Sequence, residues 1–146
     1  MSRIPRTQEH LKTGFTAEAV SAARCRAYAA RAENDLRPNL ARRWLRLAGE
    51  KDALAVKLLA AADQVHGEAA DLVSAIAEER YENDVLYPKM IRDVEEPYVR
   101  ALFERMVGEQ REHLARLEAL RRQANAAQGD VQPPPEIAEE ALVERT

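Results

Sequence analysis

The sequence has almost no sulfur chemistry to offer, few rings and no long apolar run. Its single cysteine, Cys25, excludes an internal disulfide, a CxxC redox pair and any four-cysteine zinc or iron site within the chain. A reducing setting suits such a chain, and a cytoplasmic protein is expected. Aromatic residues make up 5% of the 146 positions, which with few β-branched residues leaves little from which to build a sheet. Nowhere do about 18 apolar residues follow one another, and the opening MSRIPRTQEHLKTGF lacks the apolar centre of a signal peptide, so neither a membrane span nor an export signal is expected. Excess charge of one sign is missing too. Lys and Arg number 22 against 25 Asp and Glu, and the arginines are interspersed with glutamates, which gives nucleic acid or an anionic membrane no general attraction.

What the chain does have is helix-forming residues, with Ala, Leu, Arg and Glu dominant. Apolar positions recur at helical spacing in four stretches, about 14–35, 38–63, 69–94 and 97–125, with Pro38, Gly67 and Pro97 at the starts and breaks. The expectation is an all-α protein with one four-helix bundle over residues 14–125. An N-terminal segment, 1–13, precedes it, and a Pro-rich linker with an acidic tail, 126–146, comes after it; the tail is either disordered or a docking peptide for a protein partner. Pro88 falls inside the third stretch, where its missing backbone donor should kink the helix.

The second and fourth stretches resemble each other. RWLRLAGEKDAL (43–54) aligns with LFERMVGEQREH (102–113), so that Trp44, Gly49, Glu50, Lys51 and Leu54 match Phe103, Gly108, Glu109, Gln110 and His113 at an offset of 59. The first and third echo one another more weakly, with Glu18 against Glu79 at an offset of 61 and Tyr28 against Tyr87 at 59. A duplicated helix hairpin is the economical reading.

A bundle helix buries positions spaced alternately three and four apart. The first seam then passes through Leu11, Phe15, Glu18, Ala22, Cys25 and Ala29, and the second through Trp44, Leu47, Lys51, Leu54 and Leu58. The third passes through Ala75, Glu79, Glu82 and Leu86, and the fourth through Phe103, Met106, Gln110, His113 and Leu117. Each seam is interrupted by a polar residue near its middle, so Glu18, Lys51, Glu79, Glu82, Gln110 and His113 are expected at corresponding depth. Taken singly these have ordinary explanations: a hydrogen-bonded core histidine, a glutamate at a wet bundle end, a lysine reaching outwards along its stem. Taken together, three carboxylates and one ammonium leave a net negative interior. A divalent cation would cancel it, or Lys51 pairs with the carboxylates while they share a proton. Glu79 with Glu82, and Gln110 with His113, are i,i+3 pairs, and carboxylates plus one imidazole suit iron, manganese or zinc. Tyr28, Tyr81 and Tyr87 are expected to pack, and His10 and His66 to lie away from any site.

GFTAEAVSAARCRAYAARAE, AIAEERYENDVLYPKM and ALFERMVGEQREH resemble the first, third and fourth helices of the rubrerythrin diiron domain, in the ferritin-like superfamily. The likeness covers about residues 14–122 and is most specific in the third helix, where Glu79 and Glu82 fill the E-x-x-E ligand positions ahead of Tyr87-Pro88. It implies a ferritin-like four-helix bundle, a homodimer, and an iron carboxylate centre that reduces peroxide or dioxygen, with Glu18 among the ligands. In that family helices two and four each carry E-x-x-H; here the matching positions hold Lys51 and Leu54, then Gln110 and His113. The resemblance therefore implies at most a partial site: Glu18, Glu79, Glu82, His113 and Gln110 around one ion rather than two. That ion is iron, or else manganese or zinc, or the site is metal-free. Lys51 would replace the lost metal's charge, with Glu50 and Glu109 as neighbouring charges. Redox chemistry would need an external electron donor. The link ADQVHGEAAD between helices two and three is tight, and helix exchange within a dimer would relieve it. The other reading is a metal-free ferritin-like bundle serving as a binding or assembly module.

Overall fold

The computed structural model describes residues 6–126 and 129–135, which contain helices, turns and coil but no strand. Helix α1 spans Thr7–Asn34, α2 Pro38–Ala61, α3 Glu68–Tyr81, α4 Tyr87–Asp93 and α5 Pro97–Ala126, and a π-helical turn, Glu82–Leu86, joins α3 to α4. Three of the four stretches begin within a residue or two of their sequence signals. The first starts at Thr7 rather than near residue 14, because the helix-forming run before Gly14 carries the apolar stripe back to the half-buried Leu11. The Pro-rich residues 129–135 form neither helix nor strand, and the acidic tail from residue 136 onward lies outside the described residues. No helix among the described residues is long and apolar enough to cross a membrane.

The chain divides into two units after His66. The first is the hairpin of α1 and α2, and both of its helices stop in the same way. Leu36 takes a left-handed conformation (φ 56°), its N–H donating to Glu33 O at 3.0 Å while the Arg37 N–H donates to Ala32 O at 2.8 Å. Asp63 (φ 56°) repeats the pattern, donating to Ala60 O at 3.0 Å, with Gln64 donating to Leu59 O at 3.2 Å. These paired bonds satisfy the last carbonyls of each helix, and the first pair delivers the chain directly to Pro38 at the start of α2. Glycine is the residue this conformation favours, and Leu36 is 88% exposed, so its side chain gains little in return. Leu36→Gly is therefore expected to stabilise the protein by about 1 kcal/mol, read as a higher midpoint in urea with an unchanged slope.

Small residues line the contact within this hairpin. The buried set is Ala22, Cys25, Ala29 and Ala32 on α1, with Ala41, Ala48 and Ala55 on α2 and Ala62 at its end. Leu40 and Trp44 pack over the cluster of Ala29, Ala32 and Ala41. On α1 the buried stripe coincides with the expected seam. On α2 it is displaced by one residue: Ala48 and Ala55 are buried, whereas Leu47 and Leu54 are 37% and 47% exposed. Alanines on the line of closest approach let two backbones come together in a way that leucines there would prevent.

The second unit comprises the broken helix α3–α4 and α5. Gly67, at φ 143°, opens α3 in a conformation that residues with a Cβ rarely adopt. The break expected at Pro88 takes the form of the π turn. Pro88 has no N–H to give the carbonyl four residues back, and just before it the Tyr87 N–H reaches Glu82 O, five residues back. The extra residue in this turn rotates the face of α3 relative to that of α4, and at its start Asn83, two turns after the buried Ile76, is 3% exposed. Ile76 and Val107 are the buried apolar residues of this unit.

Gly49 and Gly108, matched in the internal repeat, both lie within helices, and a Cβ at either would meet nothing within 4 Å. With no packing reason for glycine, Gly49→Ala and Gly108→Ala are each expected to add roughly 0.5–1 kcal/mol of stability, seen as higher melting temperatures by circular dichroism. Gly14 differs, since a Cβ there would stand 3.1 Å from Leu58 Cδ1.

Candidate cation site

The two hairpins share an aromatic marker. In the first, Tyr28 meets Trp44 edge-on with ring centroids 5.0 Å apart; in the second, Tyr87 meets Phe103 at 5.8 Å. These are the positions paired in the sequence repeat, so the same residues mark the same level in both units. Moving away from each interhelical loop, Lys51 lies seven residues beyond Trp44, as Gln110 lies seven beyond Phe103. On the partner helices Glu18 and Glu79 lie ten and eight residues before their tyrosines. Each hairpin thus has a glutamate on its first helix and a polar residue seven beyond the ring of its second, Glu18 with Lys51 and Glu79 with Gln110, the two glutamates standing two residues apart in register.

In the first hairpin the pair is satisfied. Lys51 Nζ donates to Glu18 Oε2 at 3.2 Å, and both side chains are 26% exposed. Partial burial weakens solvent screening, so this contact is worth more than a surface ion pair, though part of the Coulomb gain offsets desolvation. Arg26 bonds Asp52 across the same two helices, at a more exposed position.

In the second hairpin the corresponding groups have no such partner. Glu79 Oε2 and Gln110 Oε1 are buried without a hydrogen bond, and so are both Oδ1 and Nδ2 of Asn83. The Arg80–Glu118 ion pair (2.7 Å) and the Tyr87–Phe103 contact bracket the stretch in which α3 and the π turn run against α5, and Asn83 and Gln110 both lie inside those brackets. Glu82 is half-buried where α3 passes into the π turn. Each buried polar atom left without a partner costs about 1–3 kcal/mol, so several in one short stretch are a standing demand for a ligand.

His113 is exposed, and the half-buried Leu114 takes the place on the stripe that the seam gave to the histidine. Among the described residues no three His, Cys, Asp or Glu side chains are grouped so as to hold a metal ion. Glu50 is paired along its own helix with Arg46 at 3.5 Å, and Glu109 is exposed. The structure thus brings Glu18 to Lys51 in the first hairpin, and in the second it leaves Glu79 on α3 and Gln110 on α5 with buried, unpartnered oxygens and Glu82 half-buried one turn after Glu79. Asn83 is the member that the sequence pattern does not disclose. Its signal is Ile76: Asn83 lies seven residues, or two helical turns, after that buried residue, on the row beside Glu82.

These residues do not suit a two-iron centre. The positions to which the resemblance would assign bridging carboxylates hold Lys51, whose ammonium is already engaged with Glu18, and Gln110, which carries no charge. They do suit one cation in the second hairpin, where a carboxylate oxygen and two amide oxygens are buried without partners. Compared with protein-family models, with curated proteins and with solved structures, the chain matches none.

Proposed function

We propose that this chain is a ferritin-like, rubrerythrin-related cation-binding protein in which the first hairpin is closed by its own lysine and the second binds a single divalent ion. The observation that carries the reading is internal to the chain. The first hairpin has a carboxylate neutralised by Lys51, and the second, where Gln110 stands at the repeat position of Lys51, has a carboxylate and an amide whose buried oxygens lack any donor. Glu79 supplies the charge, Glu82 stands one turn away on the same helix as a further carboxylate, and Gln110 presents its oxygen from α5. If the resident ion is iron, it would supply one-electron exchange with peroxide or dioxygen, and an external donor would have to return the electrons.

The homodimer belongs to the same proposal. Among the described residues no large side chain is fully buried, while Leu47, Leu54, Val73 and Val85 stay exposed, so a second copy has apolar surface to cover.

Elemental analysis of protein purified without a metal-binding tag tests the reading. About one ion per chain is expected, falling to background in a Glu79→Ala, Gln110→Ala double variant that keeps its helicity. Wild-type protein that stays metal-free after incubation with iron, manganese and zinc would instead support the assembly-module reading, for which the closed Lys51–Glu18 pair already argues in the first hairpin.

A further inference from the structure

Asn83 has no counterpart in the ligand pattern that the resemblance supplies, yet it is the buried polar residue of the described structure. At 3% exposure, with both ends of its amide unpartnered, it is the least explained side chain in the molecule. We propose that Asn83 is itself a ligand, its Oδ1 joining Glu79 and Gln110 in an oxygen-only site for a hard divalent cation of the manganese or magnesium class, and that His113 takes no part. This rests on the single-cation reading above and specifies its donor set.

The balance of donors and acceptors points to a cation rather than water. Three of the four unpartnered atoms, Glu79 Oε2, Asn83 Oδ1 and Gln110 Oε1, can only accept, and one, Asn83 Nδ2, donates. A water molecule brings two hydrogens and leaves the Glu79 charge uncompensated in a buried setting. A divalent cation satisfies all three oxygens and the Glu79 charge, and the half-buried Glu82 one turn away offsets its second positive charge, much as the Lys51 ammonium answers Glu18 in the first hairpin. The ligand type sets the class of ion. Carboxylate and amide oxygens are hard donors of the kind that hold magnesium, calcium and manganese, and the one nearby imidazole, His113, is exposed. Helical spacing supplies the geometry, because Asn83 lies one turn after Glu79 and two turns after the buried Ile76.

The test is a titration of the full chain with Mn2+, monitored by the loss of the free-ion signal in electron paramagnetic resonance. Wild type should bind one ion per chain, and pulsed spectra of the bound ion should show no imidazole nitrogen coupling. Asn83→Leu should weaken binding by about 10-fold or more, Asn83→Asp should tighten it by about as much, and His113→Ala should leave it within about 2-fold. Asn83→Leu also removes an unsatisfied buried amide, so its melting temperature without metal should equal or exceed that of wild type; should it fail to fold, Asn83→Asp carries the test. Mn2+ binding that is indifferent to both Asn83 variants, or that disappears in His113→Ala, would overturn this inference and leave the single-cation reading standing. No binding of Mn2+ or Zn2+ by wild type would overturn both.

Discussion

Lys51→Glu is expected to lower stability in metal-free buffer by about 2–4 kcal/mol, or roughly 10 °C in melting temperature. The substitution turns the 3.2 Å attraction between Lys51 and Glu18 into a repulsion between two half-buried carboxylates. Lys51→Met, which removes the ammonium but adds no charge, should cost about half as much, because only the Glu18 partner is lost. Two further variants separate the pair from the helix that carries it. Reversing the charges with Glu18→Lys and Lys51→Glu together should recover most of the loss, giving a coupling of at least about 1 kcal/mol in a double-mutant cycle. Millimolar Mn2+ should stabilise Lys51→Glu more than it stabilises wild type, since a cation then takes the place of the ammonium. A Lys51→Glu protein no less stable than Lys51→Met would show that the two groups do not interact, and the contrast between the hairpins would lose its basis.

The second large effect concerns the alanine line of α2. Ala48 is 2% exposed and belongs to the row Ala41, Ala48 and Ala55 that faces α1. Ala48→Leu adds three carbons to a contact whose closeness depends on small side chains, and should cost about 3 kcal/mol by forcing the helices apart. The residue next to it gives the control. Gly49→Ala, in open space, should have the opposite sign, so two neighbouring substitutions that both add carbon separate packing from helix propensity. Urea unfolding of the two variants checks the pair. An Ala48→Leu protein as stable as wild type would mean that the alanine line is not the closest contact of the hairpin.

These two sites also show what the sequence could and could not disclose. The α1 stripe through Leu11, Phe15, Glu18, Ala22, Cys25 and Ala29 was legible because its apolar residues recur without competition from larger neighbours. On α2 two parallel rows were available, one of leucines and one of alanines. A reading that equates burial with size chooses Leu47 and Leu54, yet in a close hairpin contact the small row faces inward and the large row flanks it. The pairing of Lys51 with Glu18 was one of two arrangements the charges allowed, and only geometry decides between them. In the second hairpin Gln110 and Glu79 were visible as polar interruptions of apolar stripes, and the aromatic pairs recur where the internal repeat puts them. Asn83 went unmarked, and His113 was put on the seam, for related reasons. A seam through Glu82 passes over the adjacent row of Ile76 and Asn83, and a seam through His113 overlooks Leu114 one residue on. Helical periodicity thus located the elements and most of the polar stretch. Which of two adjacent rows faces inward is decided by packing, and the period alone does not encode it.

The chain is most directly tested by counting. Native mass spectrometry of the full chain in excess Mn2+, with a Glu79→Gln variant as the blank, reports the number of cations held per chain without regard to any activity. The account predicts one ion in wild type and none in the variant, because Lys51 already occupies the first hairpin and Glu79 supplies the charge in the second. Two ions in wild type would mean that Lys51 does not stand in for a metal, and no ion at all would leave the buried oxygens of Glu79, Asn83 and Gln110 to be satisfied by the protein itself.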